Sequence, residues 1–185
     1  MLAITFEEEG DAVSTQILMD ASQLTKAVDA MAASVRTMAG NVPVALVGIR
    51  TGGEHLAKRM AKSLNVPVGV VDITLYRDDG FGPKDWPEVG VSQIPFDVTK
   101  YLIVLVDDVL FTGRTVRAAI DAILDYGRPK AVRLAVLVDR GLRELPIAAD
   151  IVGMRVDTNL NQHIEVMLVE ADADHDSVSL TEKQR

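Results

Sequence analysis

Residues 103–115 read IVLVDDVLFTGRT, and the order of residue types in this stretch decides the fold. With Tyr101 and Leu102 before it, the run to Val106 is continuously apolar and β-branched, the pattern of a strand buried on both faces of a parallel sheet. Two acids, Asp107 and Asp108, follow at its carboxyl end. Val109, Leu110 and Phe111 make a short loop, and Thr112, Gly113, Arg114 and Thr115 open a helix over about 115–126. Val116, Ala119, Ile120 and Ile123 recur at helical spacing on one face of it, and Gly127 ends it.

A strand, a tight turn and a helix in that order make an anion site. The first N–H groups of the helix lack intrahelical partners, and its dipole is positive there. Gly113 lets backbone approach a phosphate closely, and Thr112 and Thr115 add hydroxyl donors. The spacing is not that of a Walker A loop, and the chain holds no strand-linked GxGxxG. Two carboxylates beside a phosphate site conflict unless they accept hydrogen bonds from vicinal hydroxyls or lie near Mg²⁺. An anion cradle next to paired acceptors points to a sugar phosphate, and a ribose 5-phosphate fits. The bland alternative, two acids capping a turn, leaves the flanking strand and helix without a purpose.

Working outward, the same alternation repeats. Residues 20–39 have Asp20 as N-cap and Leu24, Ala27, Val28, Met31, Val35 and Met38 at helical spacing, with Gly40 and Pro43 as the stop. A strand over 44–49 runs into Arg50, Thr51, Gly52 and Gly53, and a second helix covers about 54–64. Strands are predicted at 68–76 and 131–138, with shorter ones at 151–152 and 164–169. Residues 77–100, punctuated by Gly80, Gly82, Pro83, Pro87, Gly90 and Pro95, have no clear periodicity and read as a lid or arm. Strands alternating with helices predict an α/β fold: a mostly parallel twisted sheet with helices on both faces. Ligands of such sheets bind beyond the carboxyl ends of the strands, where both turns fall. The acidic stretch with Glu170, Asp172, Asp174 and Asp176, and the polar residues after it, are expected to fray.

Composition narrows the classes. The chain has 185 residues, room for one substantial core, and no cysteine, which removes disulfides and thiolate zinc sites. No basic, apolar leader opens it and no run approaches a membrane span, so a cytoplasmic protein is expected. A net charge of −8 argues against nucleic-acid binding, which requires cations to displace counterions. His163, near a turn, reads as a polar surface residue, and Asp174, His175 and Asp176 resemble a metal cluster only superficially.

Four separate segments carry a resemblance: VGIRTGGEHLAKRM at 47–60, DITLYRDD at 72–79, IVLVDDVLFTGRT with RTVRAAIDAILDYGRP over 103–129, and AVLVDRGLRELPIAAD at 135–150. Together they resemble the type I phosphoribosyltransferases, and among them the pyrimidine operon regulators that are also uracil phosphoribosyltransferases. The resemblance spans residues 16–170, leaving an N-terminal extension over 1–15 and a tail over 171–185. It implies the type I fold with a mobile arm. The implied reaction joins uracil to 5-phosphoribosyl-1-pyrophosphate (PRPP), giving UMP and pyrophosphate.

By the same resemblance, the run from Asp107 to Thr115, including Val109, Leu110, Phe111 and Arg114, holds PRPP. Asp107 and Asp108 take the ribose hydroxyls, and Asp108 helps to handle a proton. Residues 112–115 cradle the 5-phosphate, and Thr51 and Gly52 meet the pyrophosphate. Arg77 and Asp78 begin the arm, Arg77 bringing positive charge to the leaving group. Arg140 lies near the base. Mg²⁺ is the implied cofactor, held mainly by substrate oxygens, so no protein residues are assigned as its direct ligands.

Relatives form dimers and larger assemblies, so a homo-oligomer is expected. The family's usual Thr-Arg-Gly is here Thr51, Gly52 and Gly53, and its His after Asp-Arg-Gly is Leu142. The basic position after Pro-Ile is Ala148, and the first helix carries only Lys26 and Arg36. These changes remove cations from the surface that relatives offer to messenger RNA. Lys130, Arg133, Arg143 and Arg155 are the remaining candidates for a basic patch, weighted toward plain surface charge. A UMP-sensing RNA-binding regulator with little catalysis is the alternative reading. Transfer to another base is a weaker third.

Overall fold

A computed structural model describes residues 13–73 and 91–183. In chain order it has β1 (Val13–Met19), α1 (Ala21–Ala39), β2 (Val44–Ile49), α2 (Gly52–Leu64), β3 (Val68–Val71), β4 (Leu102–Leu110), α3 (Arg114–Leu124), β5 (Ala131–Asp139), β6 (Ile151–Arg155), β7 (Gln162–Met167) and β8 (Ser177–Lys183). Among the described residues, five strands form a wholly parallel sheet in the order β3-β2-β4-β5-β6. The predicted α/β class is therefore correct.

Side-chain alternation along the strands builds two cores. Leu46, Val104, Val106 and Leu137 pack under α1 and α2, against Leu24, Val28, Met31, Leu56 and Met60. Their neighbours Ala45, Val47, Ile103, Leu105 and Val136 pack against Val116, Ala119 and Ile123 of α3. Residues 102–107 are all buried, which is why the strand reads as one apolar run. Asp20 caps α1 in a reciprocal box: the Gln23 N–H donates to Asp20 Oδ1 at 2.8 Å, and the Asp20 N–H donates to Gln23 Oε1 at 2.9 Å.

Besides shifted element ends and an unpredicted β1, three differences from the sequence reading bear on the cleft. β4 continues to Leu110, because Asp107, Val109 and Leu110 stay paired with Val136, Val138 and Asp139 of β5; Val109 and Leu110 are strand rather than loop. β7 does not join the parallel sheet. It pairs antiparallel with β8, which also pairs with β1, so a separate sheet forms in the order β1-β8-β7. Residues 177–183, expected to fray, are thus the central strand of that sheet. Of the stretch read as an arm, residues 77–90, Arg77 and Asp78 among them, lie outside the described residues, as do residues 74–76 of the strand predicted at 68–76. The chain beyond them returns along β3, where Val70 and Gln93 exchange backbone hydrogen bonds at 2.8 and 2.7 Å.

Arg59 of α2 ties the small sheet to the large one. It donates through Nε to Glu170 Oε1 at 2.8 Å and through Nη1 and Nη2 to Asp176 at 2.5 and 2.9 Å, with a second Nη2 contact to Glu170. Asp176 is nearly buried and also accepts the Val169 N–H at 3.0 Å. The Arg59 hydrogen bonds hold both carboxyls below their ordinary values, against the opposing effect of burial. A carboxyl whose folded-state pKa is lowered adds stability above its unfolded value, roughly pH 4. That contribution disappears as pH falls through the lowered folded value. Arg59→Met is accordingly expected to cost about 2–3 kcal/mol at pH 7, chiefly through the stranded Asp176. Thermal melts of both proteins from pH 7 to pH 3 should show the difference narrowing below about pH 4; a constant difference would contradict the assignment.

Candidate active site

Glycines let two strand ends and two helix mouths meet. A side-chain carbon on Gly48 would lie 2.5 Å from Glu54 Cα, and one on Gly53 would lie 2.3 Å from the Val106 carbonyl oxygen. The first turn of α2 thus rests directly on β2 and β4. On Gly52 the same carbon would meet the Asp108 carboxylate, 2.1 Å from Oδ2. The turn at residues 50–53 therefore abuts the paired acids. Arg50 is held aside by Glu54 at 3.2 Å and Asp72 at 3.3 Å.

At the end of β4 the acids are locally ordered. The Asp108 N–H donates to Asp107 Oδ1 at 3.0 Å, and the Val109 N–H donates to Asp108 Oδ1 at 2.8 Å. Asp107 is buried and Asp108 half-buried. Gly113, at φ 93°, takes the left-handed conformation that turns the chain from β4 into α3. The opening N–H groups of α3 are thereby brought beside the acids, the geometry of an anion site.

A cleft of about 290 Å³ lies at this junction. Residues 107–113 with Thr115 and Val116 form its floor, Arg140 contributes a wall, and residues 163–166 of β7 face them. Arg140 is buried. Its Nε donates to Thr158 Oγ1 at 3.1 Å, and its Nη2 donates to the Asn159 and Gln162 carbonyls at 3.1 and 2.6 Å. The guanidinium lies 4.2 Å from the centre of the Phe111 ring. Among the described residues no carboxylate pairs with it. Burial lowers its pKa, although a guanidinium remains charged. A buried cation without a counter-ion on a cleft wall suits a ligand that brings its own negative charge or carbonyl oxygens.

The site residues read from sequence are thus largely assembled, with exceptions. Arg114 does not line the cleft; its side chain turns outward to Glu144, at 2.8 Å from Nε and 2.7 Å from Nη2. Thr51 and Gly52 lie at the adjoining turn, not in the cleft lining. Arg77 and Asp78 are outside the described residues. His163 and Glu165, absent from the sequence reading of the site, project from β7 at the cleft. The available signal is the polar–apolar alternation of 163–166, which marks a half-exposed antiparallel strand. Asp176, grouped with His175 as a metal cluster only in appearance, is engaged by Arg59. Of the residual basic patch, Arg133 pairs with Asp150 at 3.4 Å, and Arg143 turns inward to the Leu110 and Phe111 carbonyls.

Comparison with known proteins places the chain. The model of the phosphoribosyl transferase domain matches residues 14–171. The bifunctional protein PyrR of Thermus aquaticus is 50% identical over 174 residues, covering 90% of this chain and 96% of its own. The bifunctional protein PyrR of Geobacter sulfurreducens is 56% identical over 139 residues, covering 72% and 78%. Among solved structures, a hypoxanthine-guanine phosphoribosyltransferase from Bacillus anthracis aligns with TM-score 0.62 at 17% identity, over 78% of this chain and 84% of that one. The purine phosphoribosyltransferase of Pyrococcus horikoshii aligns with TM-score 0.60 at 24% identity, over 75% and 85%. At those identities the structural likeness concerns the fold alone.

Proposed function

Since the chain belongs to the phosphoribosyl transferase domain family, and within it to the bifunctional PyrR proteins, we propose that it makes UMP and pyrophosphate from uracil and PRPP. The carrying observation is the meeting of Asp107, Asp108 and the mouth of α3 in one cleft walled by the buried Arg140 guanidinium, which no carboxylate pairs among the described residues.

Uracil N1 bonds to ribose C1 as the bond from C1 to pyrophosphate breaks, through a transition state resembling an oxocarbenium ion. Asp107 and Asp108 accept hydrogen bonds from the ribose hydroxyls, which fixes the ring while C1 becomes cationic. Asp108, the more exposed of the two, also serves in proton handling. The α3 mouth with Thr112, Gly113 and Thr115 receives the 5-phosphate. Thr51 and Gly52 offer backbone to the departing pyrophosphate, and the role assigned to Arg77, with Asp78 beside it in sequence, is to bring positive charge to it. Arg140 faces the base and suits a carbonyl oxygen of uracil.

The residues present fit Mg²⁺ shared with substrate. Two adjacent carboxylates are hard oxygen donors, while no group of three or more His, Cys, Asp or Glu converges among the described residues. Asp107 and Asp108 would hold the ion together with the substrate, and its chemistry there would be neutralisation of charge on the leaving group.

Purified protein supplied with PRPP, Mg²⁺ and radiolabelled uracil is expected to yield UMP, and to prefer uracil over orotate, hypoxanthine and xanthine. Folded protein that makes no UMP would overturn the catalytic reading. Regulation through RNA rests on the bifunctional relatives, and the engagement of Arg133 and Arg143 weakens it for this chain. A UMP-enhanced shift of a pyrimidine-operon leader hairpin at low salt would support regulation, and absence of any shift would remove it.

A further inference from the structure

Behind the floor of the cleft, Arg143 spends its whole guanidinium on one turn of chain. Its Nη1 donates to the Phe111 carbonyl at 2.7 Å, the Gly141 carbonyl at 2.8 Å and the Leu110 carbonyl at 3.3 Å. Its Nε donates to the Ile147 carbonyl at 3.1 Å, and Nη2 contacts Asp139. The neighbouring backbone completes the pattern. The Arg140 N–H also donates to the Leu110 carbonyl at 3.1 Å, and the Glu144 and Leu145 N–H groups donate to the Thr112 carbonyl at 3.0 and 3.1 Å. Three successive carbonyls, at 110, 111 and 112, are thus drawn toward residues 140–147.

In a trans peptide the carbonyl of one residue and the N–H of the next point in opposite directions. Fixing those carbonyls therefore directs the N–H groups of Phe111, Thr112 and Gly113 the other way. Residues 110–113 line the cleft and residues 141–147 do not, so the other way is the cleft side. Among the described residues the Phe111 carbonyl takes its hydrogen bond from Arg143, so this side chain sets the peptide that carries the Thr112 N–H.

We propose that Arg143 is a positioning residue, which presets the backbone donors of the 5-phosphate cradle without touching substrate. The proposal rests on the functional reading above. A lysine cannot replace it, because one ammonium cannot span Asp139, the Ile147 carbonyl and the turn carbonyls together.

The test compares ribose 5-phosphate binding by calorimetry, and the KM values for PRPP and uracil, in the natural protein, Arg143→Gln and Arg143→Lys. In Arg143→Gln, affinity for ribose 5-phosphate should fall about tenfold or more and KM for PRPP should rise in step. KM for uracil should move less than about twofold, with Arg143→Lys between the two proteins. Uniform loss of kcat with unchanged KM values would indicate a smaller active fraction and overturn the proposal. So would full ribose 5-phosphate affinity in either folded variant. If Arg143→Gln does not fold, Arg143→Lys decides; failure of both to fold makes Arg143 a structural residue and also overturns it. Failure of the natural protein to bind ribose 5-phosphate would instead refute the site assignment itself.

Discussion

Asp107→Asn and Asp108→Asn are each expected to leave the protein folded and to lower kcat/KM for PRPP by about a hundredfold. An amide has nearly the shape of a carboxylate, so the local hydrogen bonds from the Asp108 and Val109 N–H groups can persist. What changes is the charge facing the ribose. Hydrogen bonds to a charged acceptor contribute roughly 1.5–3 kcal/mol, and the upper end corresponds to about a hundredfold in rate. The loss should grow in the transition state, where positive charge develops on the sugar and a neutral amide no longer stabilises it. Initial rates of pyrophosphate release over a range of PRPP concentrations measure the effect. A fall of less than about threefold in both variants would mean that neither acid meets the substrate.

The second large effect comes from two neighbouring glycines with opposite fates. A methyl on Gly53 would lie 2.3 Å from the Val106 carbonyl oxygen and 2.9 Å from Asp107 Cα, both backbone atoms of the central strand. That strand is paired on both sides and cannot give. Gly53→Ala should therefore cost about 3 kcal/mol or more, lowering Tm by roughly 6–12 °C. The three atoms nearest a methyl on Gly52 all belong to the Asp108 side chain, whose carboxylate, the closest of them, can rotate aside. Gly52→Ala should leave Tm within about 2 °C and reduce activity about tenfold, because the displaced carboxylate is one of the two proposed to hold the ribose. Differential scanning calorimetry beside the activity assay separates the two. Equal melting temperatures for both variants would contradict this packing.

The parallel sheet was readable because its signals are local. Residues 103–106 and 134–138 are unbroken apolar runs, and Asp20 with Gln23 announces the start of α1. Paired acids followed by Thr-Gly-Arg-Thr placed the cleft floor for the same reason. The facing side of the cleft was less legible. β8 alternates Ser177, Ser179 and Thr181 with only two apolar residues, Val178 and Leu180, too weak a pattern to mark a strand before its pairing with β1 and β7 is known. Without β8 as a strand, β7 has no partner outside the large sheet, and His163 reads as a solvent-facing residue. Arg143 was hidden differently. Its acceptors at 110 and 111 lie more than thirty residues away in sequence, and no local pattern distinguishes a guanidinium that braces a turn from one on the surface.

One feature of the small sheet bears on how the molecule is made. β8 lies between β1 and β7, so the earliest strand to leave the ribosome gains its neighbour only when residues 177–183 follow. The large sheet can assemble beforehand, but one side of the substrate cleft stays unclosed until then, leaving two strand edges unpaired during synthesis. Chains stalled or clipped before Ser177 would keep the phosphate cradle while lacking a stable rim opposite it, and would be prone to stick to one another through those edges.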